Sequence, residues 1–305
     1  MSITTPAPTS GAWALVLASL LWGTTGTAAS FMPDSVSPLA IGAFTMGVGG
    51  ALLFATSARA SIAAIRDAAS RRWLLIGSIG VFVYPLAFYT SMDLAGVAIG
   101  NVVSLGTGPV FAAILERIIE KRRLSRLWLG CTAFAILGVV LLALGTTRGD
   151  GTSATNVPLG VALGCLAGLA YALYTYCSSR GIRAPQSSRA VMGAMFGLGA
   201  IALLPVLLAL GAPLVQSAQT ASIALYLAVG PMFVAYLLFG IGMRTLASST
   251  ATTITLLEPV VATLLAILVV GERLDPLGGI GLLLILLSIT VLSTARQTRS
   301  NPIAP

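Results

Sequence analysis

The chain has 305 residues, 57% of them hydrophobic and only 9% charged, with a mean hydropathy of +0.97. Soluble domains carry roughly 25% charged residues, so an ordinary water-exposed surface is excluded and the apolar exterior requires lipid as its solvent. The net charge of +8 comes with no histidine at all, which removes Ser-His-Asp chemistry and imidazole metal sites and leaves the basic excess as loop charge that orients the chain in a membrane rather than a nucleic-acid surface.

Apolar runs of about 20 residues match a hydrocarbon core of ~30 Å at 1.5 Å per residue. Ten are predicted, at 11–31, 36–56, 72–92, 98–119, 127–146, 157–179, 189–210, 221–242, 250–270 and 276–295. Residues 1–10 hold no Lys or Arg, so the first run reads as a permanent span rather than a cleavable signal. It carries Trp22 near its middle. Span three contains Tyr84-Pro85, a candidate kink. In span four, Asn101, Ser104 and Thr107 follow one another at a spacing of three, which puts them broadly on one helix face, and Pro109 follows. Span six holds Tyr171 and Tyr174, span eight Tyr236, and span nine Glu258-Pro259.

With the N-terminus in the cytoplasm, the inside connections collect 15 Lys and Arg, while the outside ones hold only Arg148 and Arg273. That bias predicts both termini inside the plasma membrane, which ten spans permit. A repeat near 150 residues is also visible. Gly11–Leu15 corresponds to 160–163, Trp22 to Tyr171, Pro109-Val110 to Pro259-Val260, and Leu124 to Leu274. The units are expected to be residues 1–150 and 151–305. Five spans per unit is an odd number, so the second copy must enter from the opposite side. The predicted fold class is therefore an all-α polytopic membrane protein: ten transmembrane helices in two inverted five-helix repeats around a central cavity, an architecture recurrent in secondary transporters.

Residues 256–265, Leu-Leu-Glu-Pro-Val-Val-Ala-Thr-Leu-Leu, and 271–274, Gly-Glu-Arg-Leu, resemble the second-repeat signature of the drug/metabolite transporter superfamily in its EamA-domain branch. Leu21-Trp22-Gly23 resembles that family's first-helix motif. The first repeat departs from the pattern, with Lys121-Arg122-Arg123 where a Gly-Glu-Arg run is usual. Within the superfamily the chain is most similar to the aromatic amino acid exporters. The resemblance implies a ten-helix basket whose cavity is lined by helices one, three, four, six, eight and nine, and export of amino acids or similar small metabolites.

Glu258 lies roughly 12 Å into its span at 1.5 Å per residue, where an unpartnered carboxylate costs a few kcal/mol. It reads either as a contact for a substrate amine or a proton, or as a helix-interface group bonded to hydroxyls of residues 252–255. Asn101, Ser104 and Thr107 suit a zwitterion, or serve as glue between helices. Trp22, Tyr84, Tyr89, Tyr171, Tyr174 and Tyr236 form an aromatic set able to hold an ammonium by cation–π contact, or simply to fill space. Pro85, Pro109 and Pro259 free carbonyls that persist only beside a cavity or a partner, and read as kinks. The charges at helix ends, Asp93, Glu116, Arg117, Arg244, Glu272 and Asp275, are affordable at the interfaces and need no functional role; the cluster of Glu116, Glu120 and residues 121–126 reads as a solvated topology signal, with gating contacts as the alternative. The expected partners are a small-molecule substrate and membrane lipid, without nucleic acid, cofactor or metal. Drugs, purines or sugar-like metabolites are the alternative cargo, and a channel or receptor the alternative class. An intramembrane enzyme is not expected, because Asp34, Asp67, Asp93, Asp150 and Asp275 all map to loops or helix ends.

Overall fold

In hydrocarbon a backbone must bond within its own segment, and a helix does this. The computed structural model of the chain follows that rule. It describes residues 8–29, 31–33, 35–95, 97–121, 123–144, 146–147, 156–183, 186–270 and 273–294. Asp34, Arg122, Arg148, Asp150, Gly271, Glu272 and the expected boundary at 150 lie outside the described residues, as does everything after 294.

The first half holds α1 (Pro8–Ala29), α2 (Pro38–Ala55), the short α3 (Ala58–Arg66), α4 (Ala68–Ala95), α5 (Val97–Ile119) and α6 (Arg126–Leu144). The second holds α7 (Val157–Arg183), α8 (Ser188–Leu210), α9 (Ala218–Leu227), α10 (Ala235–Gly242), α11 (Ser248–Ile254), α12 (Leu257–Leu265) and α13 (Pro276–Thr294). A π-helical turn, Ala228–Val234, joins α9 to α10, and another, Ala266–Val270, continues α12. Span eight is thus α9, a π turn and α10; span nine is α11 and α12 with a π end.

Eight segments are long and apolar enough to cross a membrane. The other two, α6 and α13, have 19 residues each, about 28 Å at 1.5 Å per residue, which completes ten. The outward faces of the spans are apolar: Ile201 and Leu208 of α8 are 70% and 77% exposed, which lipid tolerates and water does not. The helix α3 was expected to be loop. It buries Ser61 and Ala64, three residues apart, and exposes Arg59 and Arg66. Asp67 follows it and caps α4, accepting from Ser70 N at 3.1 Å and Ser70 Oγ at 2.8 Å. The Ser70 hydroxyl is the main reason its carboxyl lies below the ordinary value.

Alternating spans put the start of α1 and the end of α13 on one face, here the terminal face. Contacts between the halves agree with it. Ser57 Oγ donates to Arg189 O at 3.0 Å on the terminal face, and Ser91 Oγ donates to Gly160 O at 2.7 Å on the other. The helix pairings also obey an exchange of halves. Span three packs on span six as span eight packs on span one, and span four packs on span six as span nine packs on span one. Span two meets its counterpart span seven, and span five meets span ten, so these two contacts lie on the pseudo-two-fold axis. At the second, α6 and α13 approach backbone to backbone. A Cβ on Gly138 would sit 2.7 Å from Gly281 O, and one on Gly281 2.5 Å from Gly138 O, so small residues are what permit the approach. The same corner is closed by a two-residue antiparallel ladder, β1 (Thr146–Thr147) with β2 (Arg273–Leu274), pairing Thr146 with Leu274.

Candidate functional site

Where span nine breaks, a carboxylate enters the bundle. Leu256 N donates to Thr253 O at 3.2 Å and Glu258 N to Thr255 O at 3.0 Å, so the chain turns tightly between α11 and α12. Glu258 then falls in the first turn of α12, where unpaired N–H groups favour an anion. Pro259 follows in the same turn, a position where its missing N–H removes no helix bond. Pro109 instead lies inside α5, which continues past it. The two prolines are therefore repeat-equivalent in sequence but differ in local geometry.

Glu258 borders a small central cleft walled by helices of both halves. Trp22 and Thr25 of α1, Tyr84, Pro85, Phe88 and Tyr89 of α4, and Tyr171 and Tyr174 of α7 form much of its wall. Pro231 and Met232 come from the π turn and Tyr236 from α10. Helix α2 contributes Gly42, Thr45 and Met46, an addition to the six helices implied by the resemblance.

The tyrosine hydroxyls are mostly satisfied by one another and by threonine, as burial requires. Tyr174 and Tyr236 share a bond of 2.8 Å. The Tyr171 hydroxyl lies 2.6 Å from Thr255 Oγ1. Since Thr255 Oγ1 donates to Thr252 O at 3.0 Å, Tyr171 is the donor. The rings pack in mirrored pairs: Trp22 of span one on Tyr236 of span eight at 5.1 Å, and Tyr171 of span six on Tyr84 of span three at 5.9 Å. Glu258 is the sole ionisable carboxylate among the described lining residues, and no Lys or Arg joins it.

Of the sequence-derived candidates, Trp22, Tyr84, Tyr89, Tyr171, Tyr174, Tyr236 and Glu258 meet at this cleft. Asn101, Ser104 and Thr107 do not line it; Leu105 is the lining residue of α5. Ser104 is fully buried, and its Oγ has no partner among the described residues. Thr107 Oγ1 donates to Val103 O at 2.6 Å and faces Gly168 of α7, whose missing side chain makes room for it. The spacing of three did give a common face, but that face packs on a helix.

Phe88 carries no signal of its own in the sequence, although it stands one turn beyond Tyr84. Thr25, Thr45 and Met46 carried no sequence signal. The reading of Glu116 as an interfacial charge is corrected: it is 2% exposed and bonded to Ser248 and Ser249 of the other half. The partner that makes its burial affordable is remote in sequence.

The EamA-like transporter family matches the chain twice, over residues 9–144 and 158–294. A Bacillus subtilis (strain 168) protein named "Uncharacterized transporter YwfM" is 30% identical over 291 residues, covering 94% of this chain and 95% of that one. A Clostridium kluyveri protein named "Uncharacterized transporter" is 24% identical over 197 residues, covering 64% of this chain and 63% of its own. A solved crystal structure superposes with a TM-score of 0.77 at 21% identity, covering 93% of this chain and 96% of its own, a likeness of fold.

Proposed function

The chain belongs to the EamA-like transporter family, and from that premise we propose that it is a secondary transporter exporting amino acids, aromatic ones and other small amphipathic metabolites, by alternating access. The observation that carries this reading is the cleft: one carboxylate, Glu258, at a helix start in mid-membrane, faced by Trp22, Tyr84, Tyr89 and Tyr236. An ammonium finds there both a counter-charge and π faces. The aromatic walls suit an apolar side chain. Tyr171 and Tyr174 complete the substrate contacts, while Asn101, Ser104 and Thr107 support the wall from behind. Pro85, Pro109 and Pro259 give the lining helices their bends. The residue 1–150 and 151–305 units rock about the pseudo-axis. Both termini face the cytoplasm, as the basic bias of the connections favours.

One observation favours the alternative cargo. The described lining has no cation to meet a substrate carboxylate, so drug-like amines bearing no acid group are the second reading. Counterflow in proteoliposomes separates the two. Liposomes preloaded with unlabelled substrate should accumulate labelled phenylalanine, tyrosine or tryptophan transiently and saturably. Accumulation of the matching amines without the amino acids would replace the first reading with the second, and a flux that never saturates would point to a pore.

A further inference from the structure

On the terminal face the halves are tied by groups that the cleft does not use. Glu116, near the end of α5, accepts from Ser248 Oγ at 2.7 Å and Ser249 N at 2.8 Å through Oε1, and from Ser249 Oγ at 2.9 Å through Oε2. The two serines open α11, whose preceding residue, Ala247, offers no side-chain cap. A carboxylate of the first half thus performs the capping that the second half lacks, through charge-assisted bonds. One turn further along, Glu120 Oε1 meets Arg180 Nη1 at 3.3 Å, and the Arg180 guanidinium lies 5.1 Å from the centre of the Trp73 ring.

Among the described residues, the opposite face shows no counterpart. At the repeat offset, Ala266 stands in place of Glu116, with Ala98 and Ile99 in place of Ser248 and Ser249. None of these side chains can donate or accept a hydrogen bond. The cross-half polar contacts described there are neutral, such as Thr24 Oγ1 with the Tyr226 hydroxyl at 2.7 Å. In an inverted repeat the two end states are related by exchanging the halves. A bond that the repeat-related side chains of the other face cannot form therefore favours the state in which its own face is shut.

We infer that Glu116 is a positioning residue for transport: a latch that holds α11 against α5, keeps the terminal end of the cleft shut, and must release for the cleft to open there. The inference builds on the alternating-access reading and deepens it. Because α11 leads directly into the turn that bears Glu258, the latch acts on the cleft through one short helix.

The test uses the full chain in proteoliposomes, with Cys131, Cys165 and Cys177 replaced by Ala. Two single-cysteine reporters are introduced: Thr25→Cys in the cleft, and Thr252→Cys, buried in α11 beyond the latch. Glu116→Ala should speed alkylation of Thr252→Cys from the terminal side by about tenfold, the shift expected from losing charge-assisted bonds. It should also slow alkylation of Thr25→Cys from the opposite side. Glu116→Gln, which keeps an acceptor oxygen, should restore most of the original pattern. If both reporters become faster together, Glu116 merely holds the fold; if neither changes, there is no latch. Either outcome overturns the inference. Should Glu116→Ala fail to assemble, the double variant Ser248→Ala, Ser249→Ala removes the two hydroxyl bonds described above and must shift both reporters in the same opposed directions. These measurements need no substrate, so a failed counterflow screen sinks the cargo assignment without touching them.

Discussion

The two halves share one plan but not one texture. Spans three and four of the first half run as unbroken helices, α4 and α5, straight through Pro85 and Pro109. Their counterparts are interrupted. Span eight carries a π turn around Pro231, and span nine is split after Ile254 and ends in a second π turn. The lesson is that duplication supplied the frame, while divergence of one copy supplied the irregular backbone on which a mid-membrane carboxylate can be held. Non-helical backbone at that depth survives only where protein or a cavity satisfies it, and here it borders the cleft.

If the broken half carries the chemistry, substitutions there should dominate. Glu258→Gln is expected to reduce initial counterflow rate about tenfold or more, the size of a lost charge contact in a dry site; a variant that transports like wild type would place the ammonium contact elsewhere. Next come the mirrored aromatics. Trp22→Ala and Tyr171→Ala should each raise the half-saturation concentration roughly fivefold to tenfold, and saturation curves giving a large effect for one and none for the other would show that substrate lies off the axis. A smaller gap is expected between prolines. Pro231→Ala, which allows the π turn to rewind, should slow transport about threefold, and Pro109→Ala, within a continuous helix, by less. Measured turnover with the order reversed would undo the contrast between the halves. Smallest of all, Asn101→Ala should change transport by less than about twofold, since it packs outside the cleft.

Much of this architecture was legible in the sequence, and the reason is the solvent. Hydrocarbon demands long apolar runs, so hydropathy found all ten spans, and an odd number per repeat gave the inversion. What escaped depends on short range or on distant partners. The nine residues of α3 are too few and too basic to register as a span. The break before Leu257 falls in an apolar, Thr-rich run whose composition does not change there. The cleft aromatics were legible because bulky polar-tipped rings in mid-span are unusual; Leu105 was not, being one leucine among many. Thr107 was assigned to the right helix and the right face, but sequence gave no sign that Gly168 lies against it. Glu116 was misjudged because its bonding partners, Ser248 and Ser249, are more than 130 residues away.

The meeting of α6 with α13 has a consequence for what the sequence can tolerate. Gly138 and Gly281 let two backbones share one surface, and the β1–β2 ladder closes the same corner. A methyl group at either glycine would wedge the seam apart, so a single added carbon there would splay both halves at once, although neither glycine lines the cleft.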